Sequence, residues 1–258
     1  MTAVLEIERL SLRFGGIVAL DNVSLSVAVG DLVAVVGPNG AGKTSLLNCI
    51  TGAYRPTHGR IAFEGTDITR AAAHTAAKRG ITRTFQRNEL FPQLTTLENL
   101  LLGRHAALGY GLISAAMYVG RCRNWEIEQR DRIEAVIEFF ELEPYRKRAV
   151  GDLPYGVQKV IGLARAFANE PRLVLLDEPS AGLNRQEKED VARYLLRVRH
   201  DFSPTIVWIE HDMQFVRDLA DQVFVLHYGS KLALGTPEQV LSDPRVIDAY
   251  LGQHRNVQ

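Results

Sequence analysis

The chain has 258 residues, 46% hydrophobic and 23% charged, and its 30 basic and 30 acidic side chains cancel. That length suits one large α/β domain or two small ones with a sizeable core, and the zero balance removes any global electrostatic case for nucleic acid or an anionic membrane as partner. No apolar stretch approaches the roughly 18 to 20 residues that span a bilayer, and Cys49 and Cys122 form no close-spaced metal or redox motif, so both read as reduced thiols of a cytosolic compartment.

In chain order, MTAVLEIERLSL alternates like a strand and carries acidic residues where a signal peptide has a basic lead. Val4 to Val29 reads as strands with turns at Gly15-Gly16 and Asp21-Asn22. The apolar run Leu32 to Val36 is a buried strand; GPNGAGKT follows at residues 37–44, and a helix is expected from there to about Thr51. Arg60 to Phe63 returns to β structure. Between Gln86 and Leu153 the periodicity is helical: Thr95 with Glu98 fits a capping box, and Ile127, Ile133, Val136, Ile137 and Phe140 make an apolar face. Strand and helix then alternate through Leu173–Leu176, Glu187–His200, Thr205–Ile209 and Val223–Leu226. The outline is an α/β fold, a parallel-sheet core split by a helical module.

Residues 37–44 satisfy GxxxxGK[ST] at every constrained position and follow a predicted strand. Gly37, Gly40 and Gly42 let the backbone turn its N–H groups around an anion. Lys43 supplies a point charge for β- and γ-phosphates, Thr44 offers a hydroxyl to Mg²⁺, and the helix start adds its dipole. Nucleoside triphosphate binding is therefore expected. The loop alone does not choose among kinases, GTPases, helicases and transport ATPases. LVLLDE ends a buried strand in Asp177 and Glu178, where one carboxylate can reach a metal opposite Thr44 and the other can polarise a water. LPYGVQKVIGLARA places Gly156 at a helix start, a second anion site. His211 follows TIVWIE, and Gln86 follows ITRTF.

These motifs, in this order and over nearly the whole chain, resemble the nucleotide-binding subunit of an ATP-binding cassette (ABC) transporter. The resemblance implies one P-loop NTPase domain over 1–258: a RecA-like parallel-sheet core with an N-terminal antiparallel β subdomain in about 1–86 and 159–258, and a helical subdomain in about 87–158. It implies that Phe14 stacks on adenine with Val18 near the same base, and that Gly37, Pro38, Asn39, Gly40, Ala41, Gly42, Lys43, Thr44 and Ser45 hold the phosphates of ATP. Gln86 contacts Mg²⁺ and the water, Asp177 joins Thr44 and Gln86 at the metal, Glu178 is the general base, Ser180 to Asn184 is the D-loop, and His211 holds the γ-phosphate.

The signature segment departs from the family's LSGGQ: it reads Leu153, Pro154, Tyr155, Gly156, Val157, without the serine hydroxyl. Losing one charge-assisted hydrogen bond costs about 1.5 to 3 kcal/mol unless another group replaces it. The Tyr155-Gly156 pair, RTFQRNELFPQLTTLENLLLGRH and the ending GTPEQVLSDPRVIDAYLG resemble the branched-chain and hydrophobic amino acid importer subfamily, whose relatives also serve urea and amides. The implied partners are membrane permease subunits, a second ABC ATPase subunit in a homo- or heterodimer whose Tyr155 and Gly156 act in trans, and indirectly a solute-binding protein. The implied location is peripheral, on the cytoplasmic face of the inner membrane. A lipopolysaccharide-type exporter ATPase and a soluble non-transport ABC ATPase are the alternatives. Leu90 and Phe91 either floor a groove for a permease helix or pack in the helical module's own core. Arg121, Arg123, Arg130 and Arg132 read as a solvated helix face.

Overall fold

The computed structural model describes residues 3–84, 90–105 and 121–254, except for the side chains of 105, 121–127 and 251–254. Gln86 and the segment 111–120 lie outside the described residues, as do the side chains of Arg121, Cys122, Arg123 and Ile127. The chain forms two compact units, Met1–Arg83 with Arg172–Gln258, and Thr84–Pro171.

The first unit begins with β1 (Ala3–Phe14), β2 (Ile17–Ala28), β3 (Leu32–Val36), α1 (Lys43–Ile50), β4 (His58–Phe63), β5 (Thr66–Asp67), α2 (Ala73–Lys78) and β6 (Ile81–Arg83). The second unit holds α3 (Thr96–His105), α4 (Arg121–Phe139) and α5 (Tyr155–Phe167). The chain then returns to the first unit with β7 (Leu173–Asp177), α6 (Arg185–Phe202), β8 (Thr205–Ile209), α7 (Met213–Leu219), β9 (Gln222–His227), β10 (Ser230–Gly235), α8 (Pro237–Leu241) and α9 (Pro244–His254).

Two sheets organise the first unit. One is antiparallel, in the order β2-β1-β4-β5; the other runs β10-β9-β3-β8-β7-β6, with β9 to β6 parallel and β10 antiparallel at the edge. Every residue of β3, β7 and β8 is buried, because the parallel strands are covered on both faces. Val33, Val35, Leu173, Leu175, Val207, Ile209, Phe224 and Leu226 join β1, β2, β4 and α1 in one apolar core. Their alternates Leu32, Ala34, Val36, Val174, Leu176, Ile206, Trp208, Val223 and Val225 are buried too, pointing the other way.

The Gly15-Gly16 turn joins β1 to β2 as expected, but Asp21-Asn22 is no turn. It lies within β2, where Leu10 pairs with Val23 and Leu12 with Leu20, so two residues face one across the ladder. Asn22 takes φ +53 to make this bulge, a conformation Asn tolerates in turns and bulges alike.

In the helical unit the Thr95–Glu98 capping box forms: Glu98 accepts from the Thr95 amide at 2.8 Å, and Thr95 Oγ1 accepts from the Glu98 amide at 3.2 Å. Ile133, Ile137 and Phe140 are buried. The unit extends past the expected end at residue 158, to Pro171. The reason is α5, whose Ile161, Leu163, Ala164 and Phe167 are buried as one stripe, with Phe167 stacked on Phe140 at 6.1 Å. Cutting that helix at 158 would expose the stripe. Among the described residues, no helix is long and apolar enough to cross a membrane.

Phe224 is fully buried in β9. Truncation to Ala is expected to cost about 3 to 5 kcal/mol, read as a loss of urea resistance; an unchanged midpoint would contradict the burial.

Candidate functional site

The site is set by the register of three parallel strands. Asp177 pairs with Ile209, and Ile209 with Val35, so β7, β8 and β3 end in one row. The Glu178 amide donates to Ile209 O at 3.0 Å, continuing that row past the strand ends. Gly37, Glu178, Glu210 and His211 therefore leave the sheet at the same edge, the carboxyl edge where α/β sheets bind ligands.

Gly37, Gly40 and Gly42 have φ of 147, 77 and 102. A Cβ on Gly37 would strike Leu226 O, and one on Gly42 would lie 2.5 Å from Ala19 O, whereas Gly40 faces open space. The loop is thus pinned at two glycines and open at the third. Asn39, Gly40 and Thr44 are exposed, while Pro38 and Ala41 are buried and Ser45 is half-buried. Helix α1 begins at Lys43 with no side chain capping it and no acidic residue in its first turn, so neither a cap nor a carboxylate of the helix itself competes for its N-terminal amides.

Lys43 is 7% exposed, and its Nζ donates to Gly37 O at 2.6 Å and Pro38 O at 2.9 Å. Burial pulls its pKa below the ordinary lysine value, opposed by the Glu178 and Asp177 charges. Asp177 is also buried and accepts from Arg83 Nη2 at 3.0 Å. Glu178 holds a left-handed φ of +51, unusual for a side chain of its kind and common where a site imposes it. Its Oε1 lies 3.0 Å from His211 Nε2.

Phe14 and Val18 are exposed, and Tyr54 meets the Phe14 ring edge-on at 5.1 Å. In the helical unit Tyr155 is exposed at the first position of α5 and Gly156 is buried behind it. Phe14, Val18, residues 37–45, Asp177, Glu178 and His211 all belong to the first unit, Tyr155 and Gly156 to the second; Gln86 lies outside the described residues.

Sequence reasoning missed Arg83, Tyr54 and Glu210. Glu210, 2% exposed, accepts from the His211 amide at 3.0 Å and from the Asp212 and Ser180 amides at 3.4 Å, tying the His211 loop to the start of the SAGLN turn. Burial pushes its carboxyl above the ordinary value, and these amides pull it back. Its signal was a lone acid closing an apolar strand, TIVWIE.

Two results are expected. Gly42→Ala, which forces a Cβ against Ala19 O, should leave a folded chain with at least about tenfold weaker ATP binding; unchanged affinity would contradict the pinned loop. Glu210 has a raised folded pKa, so its contribution is fully present below 4.5 and is lost as pH climbs through the folded value. The melting temperature of Glu210→Gln relative to wild type should therefore rise with pH above 4.5 and stay level below it; a difference independent of pH would contradict the shift.

The ABC transporter family profile matches residues 20–181, and one for branched-chain amino acid ATP-binding cassette transporters matches residues 230–255. The chain is 39% identical over 250 residues to the high-affinity branched-chain amino acid transport ATP-binding protein BraF of Pseudomonas aeruginosa, covering 97% of this chain and 98% of that one. It is 38% identical to LivG of Escherichia coli K12, described in the same words, over the same shares. Among solved structures, a nucleotide-free cassette from an ABC transporter superposes with TM-score 0.84 at 32% identity, covering 96% and 99% of the two chains. Another ABC transporter cassette, in its ADP conformation, gives TM-score 0.85 at 31% identity, over 98% and 100%. The resemblance carried by the nucleotide motifs is borne out, and the chain belongs to the ABC transporter family as one of its ATP-binding cassettes.

Proposed function

We propose that the chain is the ATP-hydrolysing subunit of an ABC importer for branched-chain or other hydrophobic amino acids, or related small solutes such as urea and amides. The observation that carries hydrolysis is the Glu178–His211 pair at 3.0 Å, standing with buried Lys43 and Asp177 at one sheet edge. The solute class rests on the names of the relatives and the match over 230–255.

Each residue then has a task. Lys43 exchanges the Gly37 and Pro38 carbonyls for β- and γ-phosphate oxygens, so its buried ammonium stays paired throughout. Thr44 and Asp177 offer a hydroxyl and a carboxylate, hard oxygen donors that suit Mg²⁺, an ion held by one or two carboxylates plus substrate phosphates. When bound, that ion offsets charge developing on the phosphoryl oxygens. Glu178 orients the attacking water and accepts its proton, while His211 keeps Glu178 aimed and holds the γ-phosphate. Phe14, braced by Tyr54, stacks on adenine beside Val18. Gln86 would lend its side-chain amide to the metal and the water, as the resemblance to the family implies.

The other half of the site comes from a second cassette, whose Tyr155 and Gly156 cover the phosphates from the start of α5. A cassette 25% identical to this chain has been solved as a dimer bound to ADP and phosphate, with TM-score 0.76, which supports that arrangement. Permease subunits dock near Phe91, which is 52% exposed while Asn99 pins its backbone amide at 2.8 Å and its carbonyl at 3.0 Å. The exposure favours docking over packing in the unit's own core. The chain thus works peripherally, on the cytoplasmic face of the membrane.

In the transporter assembled with its permeases, Glu178→Gln should keep ATP affinity and lose at least about a hundredfold in turnover. Near-normal hydrolysis would contradict the base assignment. Stimulation of the wild-type assembly by leucine, isoleucine or valine on the binding protein is expected; stimulation by none of the amino acids, urea or amides would contradict import of this solute class.

A further inference from the structure

Arg83 closes β6, whose register sets it beside Leu175 of β7, two residues before Asp177. Its side chain is 5% exposed and that of Asp177 is 4% exposed, and their charged groups meet at 3.0 Å. The other arm of the guanidinium, Nη1, donates to Asn48 Oδ1 on α1, the helix that begins at Lys43. One planar group therefore joins the strand that carries Asp177 to the helix that opens at the phosphate loop. A guanidinium is planar and geometrically rigid, so it holds the buried carboxylate and the Asn48 oxygen in one fixed arrangement.

Two consequences follow from placing that charge there. The carboxylate offered to a metal is already neutralised, and a bare divalent cation approaching it meets the repulsion of the guanidinium in a site shielded from water. A metal-free polyphosphate meets the opposite: Arg83 cancels a carboxylate charge that would otherwise repel it beside Lys43. We propose that Arg83 is a positioning residue that makes metal and nucleotide binding interdependent, so that Asp177 takes up a divalent cation together with the phosphates of ATP and not alone. This rests on the reading above in which Asp177 serves the metal of bound ATP.

The test uses the full-length chain and a fluorescent ATP analogue, comparing its dissociation constant in EDTA with that in excess Mg²⁺. Arg83→Gln should raise the EDTA-to-Mg²⁺ ratio about tenfold or more over wild type, because metal-free nucleotide now meets an uncompensated carboxylate. Arg83→Lys, which keeps the charge but loses the fork to Asn48, should stay near the wild-type ratio. A merely structural role would weaken both affinities together and leave the ratio alone, and that result overturns the proposal, as does a Lys variant that behaves like Gln. Asp177→Asn separates this from the underlying reading. If it leaves the Mg²⁺ effect intact, the metal assignment itself falls and the role of Arg83 with it. If it removes the effect while Arg83→Gln keeps the wild-type ratio, only the role of Arg83 falls. Should Arg83→Gln fail to fold, Mn²⁺ binding to the nucleotide-free wild type decides by electron paramagnetic resonance. No binding below about millimolar Mn²⁺ is expected, and tight binding that Asp177→Asn abolishes overturns the proposal.

Discussion

Everything else at this site is arranged around one buried cation. Lys43, 7% exposed, sits at the mouth of a glycine loop with its ammonium held by the carbonyls of Gly37 and Pro38. An unpaired charge at that depth would be prohibitive, so the loop must offer oxygen from its own backbone until phosphate arrives. That requirement explains the glycines. Gly37 and Gly42 lie at positive φ where a Cβ would collide with Leu226 O and Ala19 O, so only glycine lets the loop hold the path that brings the Gly37 and Pro38 carbonyls to the lysine.

The sheet supplies the rest by register. Because β7, β8 and β3 pair in parallel with Asp177, Ile209 and Val35 in line, groups from distant parts of the sequence arrive at one edge without any loop having to carry them. Glu178 and His211 meet just beyond it, and Glu210 fastens the backbone between them and Ser180. The carboxylates are thereby sorted by environment. Asp177 is buried against Arg83, Glu178 is directed at His211, and Glu210 is sunk among amides with its acidity suppressed by burial. Adjacent acids in one strand-end cluster thus carry different chemistry.

Much of this was legible beforehand, and the exceptions have physical reasons. Fully buried strands announce themselves as unbroken apolar runs, so Leu32–Val36, Leu173–Leu176 and Thr205–Ile209 were plain. The phosphate loop and the Thr95 capping box are local patterns, readable because backbone needs dictate their residues. Asp21-Asn22 misled because Asn at positive φ marks a bulge as well as a turn, and only the partner strand tells which. The helical unit, read as about 87–158, spans Thr84–Pro171 in the structure, where the apolar stripe of α5 packs with it. Arg83 and Tyr54 were invisible for another reason. Their partners, Asp177 and Phe14, are brought to them by sheet pairing and chain reversal, and a lone Arg or Tyr carries no mark of that in sequence.

The account stands most directly on phosphate recognition by the buried lysine, which calorimetric titration of the full chain with ATP, ADP and AMP would measure. It predicts that ATP and ADP bind at one site per chain while AMP binds at least about a hundredfold more weakly, since AMP forgoes the charge-assisted bonds to the β- and γ-phosphates. It also predicts that Lys43→Ala erases that discrimination. AMP binding as tightly as ATP, or a Lys43→Ala chain that still prefers ATP to the same degree, would contradict it.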